Sequence, residues 1–115
     1  MTTLYGIKNC DTVKKARQWL DSESVTYQFH DYRQDGLNEE QLSAWCEQLG
    51  WETLLNKRST TWRQIDDAEK ADLDGDKAIK LMLATPSLIK RPLLISGDKA
   101  LVGFNANSYQ DFFNE

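Results

Sequence analysis

The first residue in this chain that could do chemistry is Cys10, in the run GIKNCDTVKK at residues 6–15. The residues before it, TLYGI at 3–7, read as a short buried strand, and from Thr12 onward the pattern turns helical. That places Cys10 at a strand-to-helix junction. Unpaired backbone N–H groups and the positive end of a helix dipole meet there, and both favour a thiolate over a thiol. The thiolate is the nucleophilic form. Lys8, Lys14 and Lys15 push the same way by sequence proximity, while Asp11 pushes back.

The sequence Cys10-Asp11-Thr12-Val13 lacks a second cysteine one turn on. Disulfide chemistry at Cys10 therefore needs a thiol from elsewhere, either a small molecule such as glutathione or Cys46. Cys46 lies in a helical stretch with Leu42, Trp45 and Leu49 and reads as an ordinary helix residue. The phosphatase spacing, with an arginine six positions after the cysteine, also fails, because Ala16 stands there and Arg17 comes one residue late. Two further arginines carry weight: Arg58 in NKRSTTWR (56–63) and Arg91 in IKRPLL (89–94). A guanidinium grips carboxylates and oxyanions through paired N–H groups. Beside Cys10 either would favour its thiolate and bind an anionic thiol substrate. Pro92 belongs at a strand start, since it cannot donate to a ladder.

Other patterns carry less. DLDGD at 72–76 resembles a calcium loop in composition, but its glycine is misplaced and Leu83 stands where a bidentate glutamate belongs, so it reads as a solvated acidic segment. The single histidine, His30, has no metal-ligand cluster around it and cannot complete a Ser-His-Asp set; one alternative has it meet Cys10 as a general base from an adjacent strand. No glycine-rich nucleotide loop is present.

The elements that position these residues can be read along the chain. Val13, Ala16, Trp19 and Leu20 mark the buried face of a first helix. Val25, Tyr27 and Phe29 alternate with polar residues as a half-buried strand. Asn38 with Gln41 opens a second helix in capping-box fashion, and Gly50 closes it. Residues 51–91 hold no convincing strand: a turn at 62–65, an acidic stretch, and a helix through Ile79, Met82 and Leu83 that Pro86 ends. LLIS (93–96), the Gly97-Asp98 turn and ALV (100–102) form a hairpin. Asn105 or Asn107 caps a final helix with Tyr109, Phe112 and Phe113. The order β-α-β-α, a helical middle, then β-β-α describes an α/β thioredoxin-like fold with a mixed sheet, as one domain over 1–115 carrying a helical insertion at about 51–90.

Composition agrees. The 115 residues suit one compact domain, and 40% hydrophobic with 28% charged residues is ordinary for a globular protein. No apolar run approaches the ~18 residues of a membrane span. The start lacks the apolar core of a secretion signal, so the expected location is the cytoplasm, where a lone reactive thiol persists. A net charge of -4 argues against direct nucleic-acid binding.

GIKNCDTVKKARQWL (6–20), LLNKRSTTWR (54–63) and PSLIKRPLL (86–94), in this order and spacing, resemble the ArsC/Spx family of bacteria, and within it the short YffB-type members. The resemblance spans essentially the whole chain. It implies a thioredoxin-like fold with a helical insertion, a catalytic Cys10 assisted by Arg58 and Arg91, and a cis Arg91–Pro92 bond. Lys8, Asn9, Asp11, Thr12 and Pro92 would line the substrate. It implies glutathione as co-substrate, glutaredoxin as a further thiol source, and neither metal nor nucleotide. The expected form is a monomer.

One departure bears on substrate. Arsenate reductases of the family carry a third arginine after the final hairpin, whereas LVGFNANS (101–108) has no cation. Each charge-assisted bond lost to an oxyanion is worth about 1.5–3 kcal/mol. The pattern suits the glutathione-dependent thiol reductase activity attributed to YffB-type proteins better than arsenate reduction. Spx, a transcription regulator that binds RNA polymerase, is the alternative, but many Spx proteins carry a Cys-x-x-Cys switch that Val13 removes here.

Overall fold

The computed structural model describes residues 2–8 and 10–114. The described residues form two compact units: those up to 36 together with those from 91 onward, and residues 37–90.

The first unit is built on a four-stranded mixed sheet. Strand β1 (Thr2–Gly6) leads to helix α1 (Asp11–Ser22) and then to strand β2 (Gln28–Asp31). β2 lies parallel to β1, Tyr5 facing His30 and Gly6 facing Asp31. Parallel pairing requires a crossover, and α1 supplies it. Strand β2 starts later than the expected 25–29 pattern. The exposure alternation holds, with Val25, Tyr27 and Phe29 half-buried and Thr26 and Gln28 exposed. Ladder pairing, however, begins only at Gln28, opposite Thr3 near the start of β1. Periodicity reports which side is covered, whereas a strand also needs a partner alongside.

The sequence following β2 turns tightly. Asp31, a buried carboxylate at 4% exposure, accepts from the backbone N–H of Lys8 (3.3 Å) and of Arg33 (2.8 Å). Its own N–H donates to the Asp35 carboxylate at 3.0 Å. This unit ends on the hairpin of β3 (Leu93–Ser96) and β4 (Lys99–Val102) and on a terminal helix at Ala106–Phe113. Strand β3 runs antiparallel to β1, with Tyr5 opposite Leu93, so the spatial order is β2-β1-β3-β4. The Asn105 side chain caps the terminal helix, accepting from the N–H of Asn107 and Ser108.

Leu4, Val13, Ala16, Leu20, Leu94, Tyr109 and Phe112 form the core of this unit. Burying each large apolar side chain contributes roughly 1.5–3 kcal/mol. The buried residues of α1 fall at i, i+3 and i+7, as a one-faced helix demands. Trp19, expected on that face, is only half-buried; its ring packs edge-on to Tyr109 and parallel to Phe113. Gly6 lets α1 approach closely, since a Cβ there would lie 2.8 Å from Val13 Cγ2.

The second unit is helical. It contains α2 (Glu39–Leu49), three single-turn helices at Trp51–Leu54, Thr60–Arg63 and Asp67–Lys70, the helix α6 (Gly75–Ala84) counted as sixth in the chain, and a 3₁₀ turn at Pro86–Leu88. By the same count the terminal helix is α7. Asn38 caps α2 by accepting from Gln41 N–H at 2.7 Å, and Gly50 closes it at φ 90°. The 62–65 turn proves to be the end of a helical turn that begins earlier, because Ser59 caps it through Trp62 N–H. Two bonds tie the segments flanking this unit's helices, Asn56 N–H to Leu88 C=O and Lys90 N–H to Leu54 C=O, each 2.7 Å. Four strands and these helices, in this order, make the thioredoxin-like α/β fold. No helix among the described residues is long and apolar enough to cross a membrane.

Gly6→Ala tests the close approach of α1. The added methyl meets the stiff, branched Val13 side chain, and the expected loss is about 1–3 kcal/mol by denaturant unfolding. Unchanged stability would mean the helix is free to move outward.

Candidate active site

Cys10 is the N-cap residue of α1, in extended backbone conformation at φ −107° and ψ 126°. Helix α1 begins at once with Asp11, and the Cys10 carbonyl accepts the first helical bond from Lys14 N–H at 3.0 Å. The thiol is half-buried and free. It makes no capping hydrogen bond of ordinary geometry, yet it lies within the field of the helix start. Burial by itself would push the thiol up. The backbone N–H of Val13, the Arg91 side chain donating to the sulfur, and the backbone N–H of Thr12 outweigh burial and hold the thiol below its ordinary value. These donors can point at the sulfur because the first-turn N–H groups of a helix have no partner within it.

Two of the expected contributors differ from this picture. The groups that shift the sulfur are Val13, Arg91 and Thr12, not the lysines that neighbour Cys10 in sequence. Lys8, Lys14 and Lys15 are exposed, where water screens them. His30 does not act on Cys10 either: its Nε2 lies 2.7 Å from Gly36 C=O, and its ring sits against Tyr5 with centroids 4.9 Å apart. Asp11 and Thr12 are exposed on the first turn of α1. Asn9 lies outside the described residues.

Arg91 reaches the site through Pro92. The Arg91–Pro92 bond is cis, and Pro92 is buried at the entrance to β3. The Pro92 carbonyl accepts from Gly103 N–H at 2.8 Å. Its ring carries no N–H, so Pro92 shapes the backbone here without a donor to offer a peptide-like ligand. The stretch after β4 is likewise occupied. Gly103 is bonded to Pro92, Phe104 packs edge-on to Tyr109 at 4.9 Å, and Asn105 caps α7.

Arg58 belongs to the helical unit. It is exposed, and its N–H donates to the Asn56 side chain at 3.1 Å. It lines an open pocket of that unit with Glu52, Leu55, Asn56, Lys57 and Lys90. Cys46, in α2, is free and half-buried, and burial pushes its thiol up. Asp31 is the residue that sequence reading missed. Its carboxylate fixes the Lys8 backbone two residues before Cys10. A lone polar residue ending a strand gives no pattern to find; only the tertiary bond marks it. Among the described residues no cluster of three or more His, Cys, Asp or Glu could hold a metal ion.

The arrangement can stabilise an anionic sulfur and present it to an electrophile. The two thiols should therefore differ. At neutral pH, iodoacetamide should modify Cys10 faster than Cys46, as read by peptide mapping, since the thiolate is the reactive form and the two thiols are held on opposite sides of the ordinary value. Equal rates would contradict the opposite directions of the two shifts.

The ArsC family model matches residues 5–112. The solved structure of a YffB protein superposes with a TM-score of 0.94 at 55% identity, covering 96% of this chain and 97% of that one. An uncharacterized protein of Haemophilus influenzae is 50% identical over 98% of this chain and 99% of its own length. The global transcriptional regulator Spx of Streptococcus pyogenes is 28% identical over 99% of this chain and 86% of its own.

Proposed function

This chain belongs to the ArsC family, and on that premise we propose that it is a thiol reductase that uses the Cys10 thiolate and takes glutathione as co-substrate. The observation that carries the reading is the place of Cys10 at the N-cap of α1, where the first-turn N–H groups and Arg91 hold its thiol below the ordinary value.

In the proposed cycle the Cys10 thiolate attacks the glutathionyl sulfur of a mixed disulfide. A Cys10–glutathione bond forms, the substrate S–S bond breaks, and the substrate leaves as its thiolate. A second glutathione thiolate then attacks the Cys10 adduct, releasing oxidised glutathione and restoring the Cys10 thiolate. In net, the substrate sulfur goes from disulfide to thiolate while the one incoming glutathione goes from thiolate to disulfide; the other half of the oxidised glutathione comes from the mixed disulfide itself. Glutaredoxin is an alternative source of the second thiol. Arg91 and the first-turn N–H groups would stabilise the sulfur each time it becomes anionic, in the manner of an oxyanion hole. Arg58 and Lys8 are proposed to bind the glutathione carboxylates, and the first turn at Asp11 and Thr12 to border the substrate.

Arsenate is the less favoured substrate. The family's third arginine would lie within residues 101–108, and that stretch offers a core ring, a helix cap and a backbone bond instead of a cation. The similarity to Spx supports a second reading, a regulator that docks RNA polymerase. Val13 in place of a second cysteine counts against a Spx-type disulfide switch.

Intact-mass spectrometry after incubation with oxidised glutathione tests the proposal. The expected outcome is one glutathione adduct, formed below neutral pH, absent in Cys10→Ser and slowed severalfold in Arg58→Ala. No adduct, or an adduct on Cys46 alone, would overturn the reductase reading and favour the regulator.

A further inference from the structure

The helical unit gathers positive charge in one place. Glu52 lies on the single-turn helix Trp51–Leu54, Lys57 and Arg58 follow it, and Lys90 comes from the far end of the unit. An antiparallel bridge between Leu55 and Ile89 brings the two segments together. The bonds from Asn56 N–H to Leu88 C=O and from Lys90 N–H to Leu54 C=O, each 2.7 Å, fasten that bridge on both sides. Lys90 thus stands beside the turn that carries Lys57 and Arg58, although it is far from them in sequence. The Asn56 side chain accepts from Arg58 N–H at 3.1 Å and sets that turn. Lys57 Nζ lies 5.7 Å from the centroid of the Trp51 ring. The four charged groups line one open pocket with Leu55 and Asn56, of about 480 Å³. That volume is within the range of small-molecule sites. Three cations against one carboxylate leave the pocket positive, in a chain whose net charge is -4. A cleft lined by one sign of charge concentrates ligands of the other.

We propose that this pocket is the subsite that selects glutathione: Lys57 and Lys90 share its carboxylates with Arg58, and Glu52 takes its α-ammonium. The inference rests on the reading of glutathione as co-substrate and names what recognises it. At neutral pH glutathione carries two carboxylates and one α-ammonium. The pocket offers the complement, an excess of cations with a single carboxylate. An inorganic oxyanion is served by the cations alone and repelled by Glu52. Glu52 therefore separates a zwitterionic peptide from a simple anion such as phosphate.

The test is the binding of S-methylglutathione, which has no free thiol, to the full chain carrying Cys10→Ser, followed by amide NMR shifts. The shifts should centre on Lys57, Arg58 and Lys90. Lys57→Gln and Lys90→Gln should each weaken binding roughly threefold, the scale of an exposed charge pair. Glu52→Gln should weaken S-methylglutathione by a similar factor and tighten the analogue with glutaryl in place of the γ-glutamyl group, which lacks the ammonium. A merely structural role for Glu52 would not reverse the sign between two ligands. With no change to these residues, amidation of the glycine carboxylate of S-methylglutathione should weaken its binding severalfold. Absent shifts, shifts elsewhere, unchanged affinity in both lysine variants, a like response of the two ligands to Glu52→Gln, or inorganic phosphate binding as tightly as S-methylglutathione would overturn the proposal. The measurement involves no disulfide exchange, so its outcome is independent of the Cys10 adduct. An adduct with an unresponsive pocket would sink this inference alone, and a responsive pocket without an adduct would sink the reductase reading alone.

Discussion

The free N–H groups at the start of α1 are the interaction on which the rest of the site depends. A half-buried thiol has reason to stay protonated, because burial penalises charge. At Cys10 that tendency is reversed by donors from Val13 and Thr12, which exist only because a helix begins there, and by the Arg91 side chain. Each contribution is a matter of placement. If α1 began one residue later, Cys10 would be loop and its sulfur would face no first turn. The fold fixes the start by ending β1 at Gly6 and bringing α1 close enough that only a glycine fits against Val13.

The other two strands beside β1 serve the same spot. Strand β2 ends on Asp31, whose carboxylate ties down the Lys8 backbone on the approach to Cys10. Strand β3 begins after Pro92, which is anchored by Gly103, and the residue before it is Arg91. The ends of three strands thus supply the chain leading to the sulfur, the bond that holds that chain, and the cation. The residues after β4 go instead into the core and the cap of α7. This is the local reason to read the protein as a thiol reductase rather than an arsenate reductase within its family.

Much of this could be read from the sequence, because its signals are local. The Cys10 junction follows from a strand pattern giving way to a helical one; the α2 and α7 caps follow from Asn38 and Asn105; the hairpin follows from Gly97-Asp98 between two apolar runs. The start of β2 departs from the alternation because alternation marks a covered side and not a paired one. The lysines around Cys10 count for less than their nearness in sequence suggests, because their side chains end in solvent. Asp31 could not be found at all. Its role depends on β2 lying beside β1, a pairing made across more than twenty residues. Arg91 was found by motif, but only the turn into β3 explains why it meets the sulfur.

The most direct test of the account is the ionisation of Cys10 itself, followed by thiolate absorbance in the ultraviolet as pH is raised, in a Cys46→Ser background and again with Arg91→Ala. The account predicts a midpoint below that of an ordinary cysteine, moved upward when Arg91 is removed but still held down in part by the first-turn N–H groups. A midpoint at or above the ordinary value, indifferent to Arg91, would show that the helix start and its cation do not act on this sulfur, and the proposed thiolate chemistry would have no physical basis.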